Sequence, residues 1–160
     1  MTETMTRTVT GTTAGQETAI ADHGLIGDLQ TSALVTTDGS IDWFCSPRFD
    51  SPSIFGALLD DERGGRFRIR PSEAGCTAKQ MYFPDTASLV TRFYTETGMG
   101  QVVDFLPPAG GTATDRHRIV RLLQCIRGRI AFDIDVRPRF DYGRRPHAAA
   151  AQACAAEGPG

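Results

Sequence analysis

Asp42, Trp43, Phe44, Arg48, Phe49 and Asp50 fall within one short stretch of the chain, and a further carboxylate, Asp104, stands on a later apolar run. Two carboxylates flanking an aromatic loop are the raw material of glycoside hydrolysis, in which one carboxyl protonates a leaving oxygen and another activates water or attacks. Each Asp also has a structural use. Asp42 alternates with Ile41 and Trp43, which directs it to the opposite side of a strand. Asp50 precedes Ser51-Pro52 and is placed to bond backbone amides at a helix start. Arg48, held between Pro47 and Phe49, can bind a carboxylate, a phosphate or sugar hydroxyls, or can pair with Asp50 or Asp28. Trp43, Phe44 and Phe49 can stack on sugar rings or fill a core, and alternation lets at most one of Trp43 and Phe44 face a given ligand.

These residues need strands to position them. Ala33–Thr36 reads as one strand and Ile41–Cys45 as its return, joined by Asp38-Gly39, a strong hairpin signal. Ser51-Pro52 followed by Phe55, Leu58 and Leu59 predicts a short helix ended by Gly64-Gly65. The remainder reads as β. Arg66–Arg70, Leu89–Tyr94 and Gln101–Leu106 are strands, with Gly98–Gly100 a turn before the last of them. Ile119–Ile126 is apolar on both faces, which predicts a central, doubly covered strand. Ile130, Phe132, Ile134 and Val136 alternate with Ala131, Asp133, Asp135 and Arg137 in the clearest strand of all. Seven or eight short strands broken by one helix predict an antiparallel β-sandwich. Residues 1–18 hold eight Thr and little to bury, and are expected to be a disordered leader; 19–145 form the domain, and 146–160 an irregular Ala/Gly-rich tail.

The totals narrow the partners. The 160 residues fit one domain, and a formal charge of −2 gives no reason to expect nucleic acid or an anionic membrane as a partner. Lys79 is the only Lys, so Arg carries the positive charge. Cys45, Cys76, Cys125 and Cys154 are too far apart in sequence for a metal knuckle or redox pair and read as small buried hydrophobes in a reducing compartment. His23, His117 and His147 are scattered, so no metal site is expected, and no nucleotide-binding or nucleophile-elbow motif implies a cofactor. With neither a membrane span nor a signal-peptide pattern, the expected location is cytoplasmic.

Several spaced motifs resemble one family. Ile20–Asp28, Ala33–Val35, Asp38-Gly39-Ser40 running on through Ile41-Asp42-Trp43 to Pro47-Arg48-Phe49-Asp50-Ser51-Pro52, Val103–Pro108, Arg118–Arg121 and Phe140–Arg144 resemble, in order, the start of bacterial family 15 glycoside hydrolases, the glucoamylase-like and trehalase-like enzymes. The resemblance covers about 19–147. It implies an N-terminal β-sandwich that buttresses an (α/α)6 barrel carrying two catalytic Glu of an inverting mechanism. It also implies an α-glucoside substrate such as trehalose or a maltooligosaccharide. Neither catalytic Glu can be carried onto a position here, so no residue of this chain is assigned a catalytic role. Asp42, Trp43, Arg48, Phe49 and Asp50 would form the rim of the substrate pocket. The expectation is a sandwich domain without its barrel, inactive alone and with an apolar face left uncovered. The alternative is a free-standing carbohydrate-binding or protein-interaction module.

Overall fold

The computed structural model describes residues 7–10, 19–108 and 110–145. Eleven strands follow one another: β1 (Arg7–Thr10), β2 (His23–Gly27), β3 (Ser32–Thr36), β4 (Ser40–Cys45), β5 (Ser53–Phe55), β6 (Arg66–Pro71), β7 (Thr77–Tyr82), β8 (Leu89–Tyr94), β9 (Gly98–Phe105), β10 (Val120–Gly128) and β11 (Phe132–Arg137). They build two antiparallel sheets. One has the order β1-β7-β8-β9-β10; the other has β11-β6-β4-β3-β2, with β5 paired to β4. The helical content of the described residues is a single 3-10 turn at Ile20–Asp22. No helix among them is long and apolar enough to cross a membrane.

The sandwich is filled by one face of each sheet. Ile26, Ala33, Val35, Ile41, Phe44, Phe55, Leu89 and Leu106 form one cluster, and Ile69, Ala78, Phe93 and Val102 another. Phe67 packs against both, and Phe93 meets Phe132 edge-on with ring centroids 5.9 Å apart. A buried guanidinium, that of Arg121, bridges the layers. Arg121 Nε and Nη2 donate to Asp104 at 2.8 and 3.1 Å, within the first sheet. The same guanidinium donates from Nη1 to the carbonyl of Phe67 at 2.6 Å and from Nη2 to that of Gly39 at 2.8 Å, both in the second sheet or its turn. Its carbon also lies 4.7 Å from the centre of the Phe67 ring. Burial pushes the Asp104 carboxyl above its ordinary pKa, and the hydrogen bonds and charge of Arg121 oppose that shift.

The structure departs from several expectations. The segment read as a helix is not one. Ser53–Phe55 pairs with β4, with Phe55 opposite Phe44, so the core takes Phe55 while Leu59 is left exposed. A hydrogen-bonded turn follows, with Gly56 N–H donating to the Gly64 carbonyl at 2.7 Å and Gly64 N–H to Asp60 at 2.7 Å. The Gly98–Gly100 turn is instead the start of β9, and the chain reverses just before it, where Thr95 N–H donates to the Gly98 carbonyl. Part of the expected leader, Arg7–Thr10, is an edge strand against β7; the rest of 1–18, and the tail from 146, lie outside the described residues. Cys45 is buried as expected, but Cys76 is only half-buried and Cys125 is exposed; Cys154 lies outside the described residues. The strand expected at 119–126 to be central is an edge strand, β10, with Leu122, Leu123 and Ile126 exposed. Its apolar residues do lie on both faces, but β9 is its one partner among the described residues.

Candidate functional site

The β3–β4 hairpin begins the site. Thr36 and Asp38 side chains hydrogen-bond each other, and Ser40 N–H donates to both, at 3.1 and 3.0 Å. Gly39 closes the turn at φ 86°. On β4 the pairing slips: Leu34 faces Trp43 but Val35 faces Ile41, so Asp42 is an extra residue in the strand. This bulge lets Ile41 and Phe44, three residues apart, both enter the core. It also overrides the simple alternation expected of Ile41, Asp42 and Trp43, because Ile41 is buried while Trp43 is half-buried outside it.

Asp42 is turned inward and bonded. Its Oδ2 accepts from His23 Nε2 at 2.8 Å, and its backbone carbonyl accepts from Leu58 N–H at 3.1 Å. His23 Nδ1 lies 2.9 Å from the carbonyl of Ala19 and 3.2 Å from that of Ile20. Both ring nitrogens therefore face acceptors, which suits the doubly protonated imidazolium. Burial works against that charge, but the hydrogen bond and charge of Asp42, with the two carbonyls, outweigh it and hold the His23 pKa above its ordinary value. A raised histidine pKa gives stability that is full below the unfolded value of about 6.5 and lost as pH rises through the folded value. In an NMR titration the His23 ring should titrate above that unfolded value, and Asp42→Asn should bring it down; a His23 ring that titrates below it would contradict the assignment.

Past Cys45 the chain leaves the sheet through a cis Ser46–Pro47 peptide into an exposed loop. Arg48 Nε and Nη2 donate to the two carboxylate oxygens of Asp50 at 3.1 and 3.2 Å, so Arg48 takes the Asp50 alternative rather than Asp28. Both side chains are more than half exposed, and the pair contributes little to stability. No helix start exists for Asp50 to cap. Ser51 Oγ instead accepts from Arg48 N–H at 3.1 Å. Phe49 is 72% exposed. Burial and the Asp50 charge push the Cys45 thiol up, which disfavours a thiolate nucleophile there.

A later segment closes over this stretch. Arg139 and Asp141 N–H donate to the carbonyls of Ile54 and Ser53 at 2.8 and 2.9 Å, and Tyr142 N–H donates to Ser53 Oγ at 3.2 Å. Tyr142 thereby reaches Trp43, ring centroids 6.4 Å apart and planes at 47°. Beside it an open cleft is lined by Glu62, Arg63, Arg139, Tyr142, Gly143 and Arg144. The sequence reading singled out Phe140–Arg144 as a motif but could not place Tyr142 on Trp43, because the two are far apart in the chain.

Asp28, offered by the sequence as a partner for Arg48, pairs instead with His117, a residue to which the sequence gives no role. His117 Nδ1 donates to Asp28 Oδ2 at 2.5 Å with both side chains buried, and Asp28 Oδ1 also accepts from Gln30 and Thr31 N–H. Burial raises the Asp28 pKa, but the hydrogen bond from His117, those two amides and the His117 charge bring it below the ordinary carboxylate value. This pair ties the loop before β10 to the β2–β3 turn, and Thr114 N–H adds a bond to Gln30 Oε1 at 2.7 Å. Nothing in the sequence pairs His117 with Asp28, since they come together only through the topology.

Asp42 is committed to His23, Asp50 to Arg48 and Asp104 to Arg121. Among the described residues no group of three or more His, Cys, Asp or Glu is placed to hold a metal ion.

Comparison with known proteins finds relatives of the chain. The family described as trehalase-like, N-terminal matches residues 4–154. A trehalase of Mycolicibacterium smegmatis is 35% identical over 141 residues, covering 78% of this chain and 21% of that protein. A trehalase of Mycobacterium tuberculosis is 31% identical, covering 78% and 20%. Trehalase 1 of Sulfolobus acidocaldarius is 40% identical over 120 residues, covering 75% and 19%. The chain thus spans about a fifth of the length of these curated relatives. No solved structure matches it.

Proposed function

The chain belongs to the family of trehalase-like N-terminal domains, and from that premise we propose that it is the β-sandwich part of a cytoplasmic glycoside hydrolase acting on trehalose or a related α-glucoside, with the chemistry carried by a separate (α/α)6 barrel. The observation that carries this reading is the extent of the match. Six trehalases match, and the first three each align over about a fifth of their own length while covering at least 76% of this chain. The commitment of Asp42, Asp50 and Asp104 to basic partners supports a non-catalytic role for the sandwich. In this reading the stretch from 42 to 50 is the pocket-rim side. Arg48, Phe49 and Asp50 reach solvent, Trp43 packs against Tyr142, and Asp42 anchors the stretch to His23.

The test is a chimera in which this chain replaces the matched segment of the M. smegmatis trehalase. The chimera should release glucose from trehalose, and the same protein with the segment simply deleted should not. A deletion protein as active as the chimera would overturn the supporting role. A second reading, a carbohydrate-binding module, is favoured specifically by the exposure of the Phe49 ring. Saturable quenching of the single Trp by trehalose, in this chain alone, would favour it.

A further inference from the structure

The sandwich is closed on one side and open on the other. Residues directly opposite each other in antiparallel strands share a sheet face. Ile134 pairs with Ile69 and Val136 with Phe67, so both point into the sandwich, yet they are 62% and 49% exposed. Leu123 pairs with Val102, a fully buried residue, and is itself 42% exposed. These are core-facing side chains without a core over them. β10 and β11 are each an end strand of their sheet, and they lie on the same side of the sandwich, because Arg121 of β10 bonds the carbonyl of Phe67 in β6, the strand that β11 pairs. Among the described residues β10 pairs only with β9 and β11 only with β6, so each offers a free backbone edge. From Leu122 to Ile126 β10 carries no charged residue, and its neighbour Arg121 is used internally. Charge and proline, two of the devices that protect an exposed edge, are absent from that run, and the one interruption is a bulge at Ile126.

We propose that the β10–β11 side is the docking surface for a β-strand with apolar residues at alternate positions, contributed by the part of a trehalase-length polypeptide that this chain does not cover. The strand pairs with the edge of β10 and lays its apolar side over Leu123, Ile134 and Val136. The choice of occupant follows from the relatives, in which the matched fifth belongs to a polypeptide about five times as long. It rests on the supporting role proposed above and adds where the support is made. The opening between two sheets needs main-chain partners as well as apolar cover, which a strand supplies and a smooth helical face does not.

Hydrogen exchange on the same chimera and on this chain alone tests it. Amides of 120–128 and 132–137 should exchange about tenfold or more slowly in the chimera than in the chain alone. Leu123→Arg and Ile134→Arg, on different strands and both at exposed positions, should each return that exchange to the level of the chain alone without lowering the chain's own melting temperature. An active chimera with unchanged exchange at 120–137 overturns this inference and leaves the supporting role standing. An inactive chimera with those amides protected supports the docking surface and counts against the supporting role. Protection already present in the chain alone overturns the choice of occupant. If it rises with concentration a second copy sits there, and if it does not, another part of this chain does.

Discussion

Arg121→Met should lower the unfolding free energy of the chain by about 3–5 kcal/mol, because it leaves the Asp104 carboxylate buried without its cation. Asp104 is fully buried and the Arg121 side chain nearly so, which rules out rescue by bulk water. The loss extends beyond one pair. The same guanidinium serves the Phe67 and Gly39 carbonyls, so its removal also loosens the contact between the sheets. Domains of this size have about 5–15 kcal/mol in total, so the variant should be partly unfolded at modest urea concentrations. Arg121→Met combined with Asp104→Leu should recover part of the loss, since the stranded charge is gone. The measurement is urea denaturation of all three proteins. A single variant within about 1 kcal/mol of the parent, inside the range of an exposed pair, would show that the Arg121 guanidinium does not join the layers.

Gly39→Ala should cost about 2–5 kcal/mol by the same measurement, the sum of a left-handed backbone imposed on an L-residue and a steric conflict. A Cβ at Gly39 would lie 2.2 Å from the carbonyl oxygen of Ile69, in the neighbouring strand. Gly39 also accepts from Ile69 N–H at 3.1 Å and from Arg121, so any shift is passed to both sheets. Gly75→Ala separates the two causes. Gly75 has φ 76° but no atom within 4 Å of an added Cβ, so it should cost only the backbone part, about 1–2 kcal/mol. Equal effects at the two positions would mean that the turn can yield without disturbing Ile69.

The fold class was legible because period-two alternation survives in most strands. Arg66–Arg70 and Phe132–Arg137 show it plainly, and both lie in strands. The Asp38-Gly39 turn was legible for a local reason, the positive φ at Gly39. What failed had non-local causes. Ser53–Phe55 looked helical because Phe55, Leu58 and Leu59 sit at helical spacing, but Phe55 is fixed opposite Phe44, a strand away. β7 was missed because Thr77, Lys79 and Gln80 dilute its pattern, although Ala78 reaches the core. The orientation of Asp42 could not be read by alternation because a bulge resets the count there. At the site, Arg48–Asp50 was among the stated alternatives since the two are neighbours in the chain. The pairs His23–Asp42, Asp28–His117 and Trp43–Tyr142 join residues that only strand order brings together.

In the proposed supporting role the chain performs no bond cleavage of its own. The direct measurement is glucose release when the purified chain is incubated with trehalose. The account predicts none above a buffer control, at any pH from 4 to 8. Turnover that co-purifies with the chain and disappears in Asp42→Asn or Asp50→Asn would contradict it, and would make the stretch from Asp42 to Asp50 an active site instead of a rim.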